Sequence, residues 1–223
     1  MKIAFLTTIF RMNKKYLHDF FKSLKNQTHQ NFDVIVVNDC NKDFEKIKKL
    51  YNQKLNIIEL QYSDTPEKNR EYGINYCIDC KYDVLIFGDS DDYFKNNRVE
   101  KSLYFLKEAD IVVNDLSLFD KNGIYEKKYL SHRLKNLEVV NAKFIKDKNI
   151  FGLSNTAIKL RNIKKVTFNS KIIAIDWYFF KKKLKQGLKA IFTNETETFY
   201  RQYEHNAIGL RVKNNKYYLW WEK

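Results

Sequence analysis

Short apolar runs alternate with helical patterns along the first 120 residues. The runs are rich in β-branched and aromatic residues and predict strands at 2–8, 32–37, 56–61, 84–87 and 111–113. Between them, apolar residues recur at helical spacing. Helices are therefore predicted from an Asn13 cap to Leu24, and at 43–51, 66–76 and 96–109. Repeated strand and helix units of this kind predict a mostly parallel sheet flanked by helices, an α/β fold.

The pattern changes after residue 115. A turn signal at 120–123 separates the apolar stretches 116–119 and 124–130, which predicts a hairpin or another mixed-sheet extension. A helix is predicted at 176–186, closed by Gly187, and a short strand at 190–192. We expect a single domain over residues 1–223, with a mixed α+β C-terminal half from residue 116.

Composition agrees with one globular domain. The 223 residues are 44% hydrophobic and include only six Gly and one Pro, enough apolar content for one core and too little Gly and Pro for a linker-rich array. No apolar run is long enough to span a bilayer. Three cysteines, an odd number, agree with a reducing compartment. We therefore expect a cytoplasmic protein.

The net charge of +14 is unevenly distributed. Residues 1–120 contain 18 basic and 19 acidic side chains, whereas residues 121–223 contain 23 and 8, so the two parts carry −1 and +15. A basic surface of this kind suits nucleic acid, an anionic membrane face or a phosphate-bearing substrate, and it is equally the composition of a well-solvated surface.

An acidic cluster directly follows the apolar run 84–87. Asp89, Asp91 and Asp92 place three carboxylates within four residues. Carboxylates so close repel one another unless a hard cation lies between them. The cluster therefore predicts a site for Mg²⁺ or Mn²⁺ at the end of a strand. A calcium loop that runs on to Glu100 is a weaker interpretation, because Phe94 stands where that loop requires Gly.

Two other predicted strands also end in polar residues. Thr7 and Thr8 follow the first strand, and Asn38 and Asp39 follow the second. In an open α/β sheet, ligands bind beyond the carboxyl ends of the strands. The Gly-rich loops of dinucleotide-binding proteins and phosphate-loop NTPases are missing from the sequence. Any phosphate group must therefore be held by metal and side chains.

These segments together resemble family-two glycosyltransferases of the GT-A fold, in particular small bacterial enzymes of cell-surface polysaccharide synthesis. The matching segments lie in the family's order along nearly the whole chain: Thr7-Thr8, Gln27-Thr28, 34–39, 68–74, 88–92, Asp176-Trp177, and 200–202 with Asn206. The resemblance implies a nucleotide-sugar donor, a divalent ion and transfer to a hydroxyl of a surface-glycan, lipopolysaccharide or lipid-linked acceptor.

The resemblance also implies roles for individual residues. Asp39 would accept a hydrogen bond from the nucleotide base, Arg70 would lie near the base or diphosphate, and Asp91 or Asp92 would hold the metal. Asp91 could instead face the ribose. The remaining donor-binding residues would be Thr7, Thr8, Lys68, Asp89 and Arg201.

Asp176 matches the general base of the family, although Ile175 stands where an acidic residue is usual. A base there would take the proton of the acceptor hydroxyl during a single displacement with inversion. Helix capping is the structural alternative for both Asp39 and Asp176, and an ion pair is the alternative for Arg201. Tyr203 stands where the family often has His, so a metal-ligand role for His205 is not expected.

Two other functions remain open. A sugar nucleotidyltransferase also binds Mg²⁺ through carboxylates, but it normally carries a Gly-rich basic loop after the first strand, which is missing at 7–11. A non-catalytic binding module derived from a transferase is the second alternative. Nucleic acid is not expected as a partner, because the acidic cluster repels phosphates unless a metal intervenes. The sequence gives no indication of oligomeric state.

The C-terminal segment combines aromatic and basic residues. Tyr217, Tyr218, Trp220 and Trp221 lie among lysines, a composition typical of membrane interfaces and also of packing onto the domain or a dimer contact. Together with the basic half, this tip predicts peripheral association with the anionic inner face of a membrane.

Overall fold

A computed structural model describes residues 1–146, 149–169 and 174–203. The elements follow in this order: β1 (Ile3–Ile9), α1 (Lys14–Lys25), β2 (Asp33–Asn38), α2 (Phe44–Tyr51), β3 (Asn56–Gln61), α3 (Pro66–Asp79), β4 (Val84–Phe87), β5 (Tyr93–Phe94), α4 (Arg98–Phe105), β6 (Ile111–Asp120), β7 (Gly123–Glu126), β8 (Val139–Val140), β9 (Thr156–Lys159), α5 (Ile175–Lys185) and β10 (Ala190–Arg201). Short 3₁₀ turns lie at Tyr129–His132 and Phe144–Lys146.

The strands form one mixed sheet in the order β3-β2-β1-β4-β9-β6-β10-β5, with β7 beside β6 and β8 beside β10. Strands β1 to β4 pair in parallel, as the sequence predicts. The pairing of β6 with β10 is also parallel, whereas β9 and β5 run antiparallel to their neighbours. Strands from both halves of the chain thus share a sheet.

Alternation along the strands builds two apolar layers. Phe5, Val34 and Val36 face a layer that also contains the apolar faces of α1, α2 and α4. Leu6 and Ile35 face the opposite layer, which includes α3, α5 and the segments between β7 and α5. No helix in the part of the chain that the structure describes is long and apolar enough to cross a membrane.

Local signals in the sequence explain several element ends. The side chain of Asn13 accepts a hydrogen bond from the N–H of Lys15 at 2.9 Å, as expected of a cap. Gly187 follows α5 with φ of +91°, a conformation that favours glycine. The turn at 120–123 joins β6 and β7 as an antiparallel hairpin, which confirms that prediction.

The sheet departs from the sequence expectations at its centre. Strand β9, which the pattern does not predict, lies between β4 and β6 and is antiparallel to both. Strands β6 and β10 continue well beyond the expected 111–113 and 190–192, and α4 is shorter than the expected 96–109. The chain enters β9 from the second half, so this pairing is long-range and no local pattern encodes it.

Candidate active site

The carboxyl ends of β1 and β4 meet at a pocket beside α3. Its lining consists of Leu6, Thr7, Thr8, Arg70, Phe87, Gly88, Asp89 and Leu153. The carbonyl of Thr8 accepts a hydrogen bond from the Ser90 hydroxyl at 2.8 Å, which fixes the acidic loop 88–92 against β1. Four residues expected to bind the donor, Thr7, Thr8, Arg70 and Asp89, are thus brought together.

Arg70 links the two halves of the site. Its Nη2 lies 3.0 Å from Oδ1 of Asp89, in an ion pair between α3 and the acidic loop. The pKa of Arg70 is raised: Asp89 and Asp176 favour its charged form over the opposing effect of burial. The guanidinium therefore interacts electrostatically with the carboxylates of both Asp89 and Asp176, which come from opposite halves of the chain.

Asp176 lies within the first turn of α5 and is half-buried. Its Oδ1 accepts a hydrogen bond from the N–H of Trp177 at 2.8 Å. The cap position itself is Ala174, so the helix-cap alternative for Asp176 is not what the structure shows. Burial raises the pKa of the Asp176 carboxyl, against the lowering effects of the Trp177 N–H and Arg70. A carboxylate with a raised pKa is better suited to accept a proton.

Asp39 points towards β3 and α3. Its carboxylate accepts hydrogen bonds from the Ser63 hydroxyl and, at 3.1 Å, from Nδ2 of Asn69. The cap position of α2 is Asp43. The helix-cap alternative for Asp39 therefore does not hold, and its carboxylate lies at the end of β2, where the family resemblance implies a contact with the nucleotide base.

Lys68 is directed differently from the expectation. Its ammonium pairs with Glu71 on the same helix at 3.0 Å. Glu71 also accepts a hydrogen bond from the N–H of Phe168. The described contacts therefore place Lys68 in a link between α3 and the segment after β9, separate from the ion pair of Arg70 and Asp89.

Asp92 is fully buried beneath the loop. Its Oδ1 accepts the backbone N–H of Arg201 at 2.8 Å, and its Oδ2 accepts the Ser154 hydroxyl. Burial and the neighbouring carboxylates Asp91 and Asp89 raise its pKa well above the usual range. Both oxygens already accept hydrogen bonds from protein donors, which join the loop to the end of β10 and to Ser154, just before β9. A metal-ligand role for Asp92 stays a prediction.

Asp91 is half-buried beside Asp89. Its Oδ2 accepts a hydrogen bond from the Tyr203 hydroxyl at 2.8 Å. Burial, followed by repulsion from Asp89, raises the pKa of Asp91. Neighbouring carboxylates repel one another, and a cation bound between them would relieve that repulsion.

Arg201 is mostly buried at the end of β10. Its Nε donates to the backbone carbonyl of Asp91 at 2.7 Å, and its Nη2 pairs with Asp19 at 2.7 Å. The guanidinium also lies over the rings of Tyr16 and Phe119. These contacts match the ion-pair alternative: Arg201 ties α1, the acidic loop and β10 together.

Several residues of the site carry no signal in the sequence. Ser154, Asp19 and Arg98 all contact the acidic loop or the residues that hold it. They lie 6, 62 and 69 residues from the nearest end of the loop in the sequence (Arg98, Ser154 and Asp19), in segments without a recognisable motif. Their roles follow from long-range packing. His205, Asn206 and the aromatic C-terminal tip lie outside the described residues.

Comparison with known proteins identifies the family. The model of "Glycosyl transferase family 2" matches residues 6–168, from β1 through the segment after β9. The chain belongs to glycosyl transferase family 2. An uncharacterised family relative, a glycosyltransferase of Methanocaldococcus jannaschii, is 24% identical over 93% of this chain and 73% of its own. The O-antigen biosynthesis glycosyltransferase WbnJ of Escherichia coli is 29% identical over 55% of this chain and 50% of its own.

Solved structures show the same fold. S. aureus TarS 1-349 in complex with UDP-GlcNAc superimposes with a TM-score of 0.71 at 18% identity, covering 93% of this chain and 60% of TarS 1-349. GalNAc-T7 with UDP, GalNAc and Mn²⁺ gives a TM-score of 0.63 at 11% identity, over 95% of this chain and 45% of its own. The glycosyltransferase chain thus has the expected GT-A-like mixed, largely parallel sheet flanked by helices. It spans about half to three quarters of these proteins.

The loop of this family 2 chain fits a divalent ion shared with a substrate. No group of three or more His, Cys, Asp or Glu side chains is arranged as a metal site within the described ranges. Mg²⁺ commonly takes only one or two protein carboxylates and completes its shell with substrate phosphates and water. Asp89, which lines the pocket, and Asp91, two residues further along the loop, offer that number. The Glu100 carboxylate, which the calcium-loop interpretation requires as a ligand, accepts a hydrogen bond from the Thr28 hydroxyl of another segment.

Proposed function

We propose that the protein is a metal-dependent inverting glycosyltransferase that moves a sugar from a nucleotide-sugar donor to an acceptor hydroxyl. The observation that carries this proposal is the ion pair of Arg70 with Asp89 at the end of β4, with Asp176 of α5 and Asp91 close enough to act electrostatically on Arg70. Family membership supports the reaction class, and the donors bound to structural neighbours support a nucleotide-sugar.

Asp39 and the strand ends would bind the nucleotide. The Asp39 carboxylate accepts hydrogen bonds from Ser63 and Asn69 and has the capacity to accept one more from a base N–H. Thr7 and Thr8 line the floor of the pocket. Arg70 lines the pocket as a cation and would bind the diphosphate. Asp89 would orient Arg70 and contact the ribose.

Asp91, assisted by Asp89, would hold Mg²⁺ or Mn²⁺. The bound ion supplies Lewis-acid stabilisation of the charge that develops on the diphosphate leaving group. Asp92 keeps the loop in place from inside the protein, through the Arg201 N–H and the Ser154 hydroxyl. The chain therefore separates the work of two adjacent aspartates: one faces the substrate and the other anchors the loop.

Asp176 would act as the general base. The acceptor hydroxyl attacks the anomeric carbon from the face opposite the diphosphate and transfers its proton to the Asp176 carboxylate. Single displacement of this kind inverts the anomeric configuration. Burial, which raises the pKa of Asp176, increases its affinity for that proton, and Arg70 steadies the carboxylate electrostatically.

The C-terminal half would receive the acceptor. Asp176 belongs to this half, and residues 121–223 carry a net charge of +15. A surface glycan, a lipopolysaccharide core or a lipid-linked phosphate is therefore the proposed acceptor class, at an anionic membrane surface. The E. coli relative WbnJ is an O-antigen biosynthesis glycosyltransferase, which agrees with a glycan acceptor. Residues 1–115 form the donor half in this proposal.

Release of nucleoside diphosphate tests the reaction class. The protein is incubated with a panel of nucleotide-sugars, UDP-sugars first, with Mn²⁺, Mg²⁺ or chelator, and free diphosphate is measured. We expect metal-dependent hydrolysis of at least one donor. Consumption of a nucleoside triphosphate with a sugar phosphate would instead support a nucleotidyltransferase. Donor binding without turnover would support a binding module, and absence of both binding and turnover across the panel would contradict the proposed function.

A further inference from the structure

A buried cation lies directly beneath the acidic loop. Arg98, the first residue of α4, has no solvent exposure. Its Nη2 donates to the backbone carbonyl of Phe87 at 2.6 Å, and its Nε donates to Oδ1 of Asn114 at 3.1 Å. Phe87 is the last residue of β4 and the carbonyl lies two residues before Asp89. Arg98 therefore holds the strand end from which the loop departs.

Arg98 is not paired with any carboxylate. None of the ion pairs among the described residues includes it, and its Nη1 is buried without a hydrogen-bond partner there. Burying an unpaired cation is costly. Burial lowers the pKa of the Arg98 guanidinium to about 9, and the carboxylates of Asp92 and Asp89 in the loop above it act in the opposite direction. Arg98 is thus stabilised by the field of the acidic loop, and the loop is stabilised by Arg98.

Aromatic rings complete the support under the loop. The guanidinium lies 4.3 Å from the ring centroid of Phe94 and 5.4 Å from that of Phe5. Gly88 rests on the same two rings, because a Cβ there would come within 2.5 Å of Phe5 and 2.7 Å of Phe94. The loop therefore cannot move closer to these rings. A substitution at Arg98 changes both the position of the loop and the electrostatic potential at its carboxylates.

We propose that Arg98 is a positioning residue of the donor site, whose buried charge sets the balance between divalent-ion and diphosphate binding. The proposal rests on the function proposed above. A fixed cation below three carboxylates lowers the affinity of the loop for a free divalent ion and raises its affinity for an anionic nucleotide-metal complex. The hydrogen bond from Arg98 to the Phe87 carbonyl holds the start of the loop, so that the Asp89 carboxylate stays within ion-pair distance of Arg70.

Calorimetry on three purified proteins tests this inference. Wild type, Arg98→Met and Arg98→Lys are titrated with Mn²⁺ alone and with UDP in saturating Mn²⁺. We expect Arg98→Met to bind UDP about tenfold more weakly and Mn²⁺ alone several-fold more tightly, because the buried charge is lost. Arg98→Lys keeps the charge but loses the planar guanidinium that donates to both Phe87 and Asn114. Its affinities for Mn²⁺ and for UDP should remain within about threefold of those of wild type.

Val99→Ala is the matched control. Val99 is a fully buried neighbour on α4, so its truncation lowers stability without removing charge. It should melt at a lower temperature and bind Mn²⁺ and UDP as wild type does. If Arg98→Met does not fold, Arg98→Gln, which can still donate one hydrogen bond to Phe87, takes its place with the same expectation.

The outcomes separate two failures. A wild type that binds no UDP with Mn²⁺, nor any other nucleoside diphosphate, contradicts the proposed function itself. A wild type that binds UDP while the folded Arg98→Met variant matches it in both titrations overturns the role of Arg98. Equal losses of UDP affinity in the Met and Lys variants would show that the charge of Arg98 is not what matters. Parallel losses of UDP and Mn²⁺ affinity would show the same. Either result would overturn the proposed electrostatic role and leave Arg98 as a structural contact.

Discussion

Two opposing influences act on the carboxyl group of Asp176. Burial raises its pKa, while Arg70 and the Trp177 N–H lower it, and burial has the larger effect. Since the base must be ionised to accept a proton, activity is expected to fall as the pH drops through this raised pKa. The acid limb of the pH profile should therefore lie above the ordinary Asp value of about 4.

Replacement of Asp176 by Asn separates catalysis from structure. We expect turnover to fall by about a hundredfold to ten-thousandfold, the usual range for a positioned base, with UDP affinity within about twofold of wild type. The melting temperature should not fall, because an Asn side-chain oxygen can still accept the Trp177 N–H. Steady-state kinetics, calorimetry and thermal melts measure the three quantities.

Asp79→Asn is the control for Asp176. Asp79 is an exposed carboxylate at the end of α3 that pairs with Lys165 at 2.8 Å, away from the pocket. Its loss should leave both turnover and the pH profile unchanged. Unchanged turnover in Asp176→Asn would assign Asp176 to the scaffold, and an acid limb that stays in place when Asp176 is absent would assign that limb to another group.

The proposed function divides the tasks of the loop after β4 between neighbouring residues. We expect Asp91→Ala to remove Mn²⁺-dependent UDP binding with little loss of stability, because folding raises the pKa of Asp91. Its ionised form is then less stable in the fold than in the unfolded chain, and that cost appears as the pH rises through the folded pKa. Calorimetry with and without chelator, together with thermal melts, gives both readouts.

Asp92→Ala should show the reverse of Asp91→Ala. It leaves the Arg201 N–H and the Ser154 hydroxyl without their acceptor, which costs about 1–3 kcal/mol for each buried donor left unsatisfied. Asp92→Asn can still accept the Arg201 N–H and should recover much of that stability. If Asp92→Asn instead abolishes metal-dependent binding in a protein as stable as wild type, Asp92 is a ligand after all.

At the level of elements, local patterns were sufficient for the parallel part of the sheet. Strands β1 to β4 and the helices between them are encoded by apolar periodicity, an Asn cap and a Pro at the start of α3. Strand β9 could not be found this way, because its four residues resemble any short apolar run and its partners lie about 45 and 70 residues earlier in the chain.

The residues of the site also divide into those that local sequence patterns indicate and those that only long-range contacts reveal. The positions of Asp39, Asp89 and Asp91 after strand ends could be predicted, because the strand ends of a parallel sheet converge at one edge. The roles of Asp92 and Arg201 could not, since their contacts join β4, β10 and α1 across 109 and 182 residues of sequence. Motif spacing identifies which carboxylates gather at the pocket, but only burial shows which of them faces it.

The whole molecule is electrostatically divided, with −1 on residues 1–120 and +15 on residues 121–223. For an acceptor on a lipid phosphate, such a division would bring the acceptor half to the membrane and leave the donor pocket open to nucleotide. We predict that the protein binds vesicles containing anionic lipid, and that this binding weakens steadily with added salt because it depends on exposed charges.

Truncation before Lys216 distinguishes the aromatic tip from the bulk of the charge. The segment 216–223 contributes two basic and one acidic residue, so the half keeps almost all of its positive charge while losing four aromatic rings. If the rings enter the interface, the truncated protein should bind anionic vesicles more weakly at every salt concentration, with the same salt dependence. Donor hydrolysis should be unchanged, because Asp39, Arg70, Asp89 and Asp91 all belong to the other half. Cosedimentation of the full-length and truncated proteins with anionic and neutral vesicles measures vesicle binding. If the full-length protein does not bind anionic vesicles even at low salt, membrane association is contradicted and a soluble acceptor is favoured.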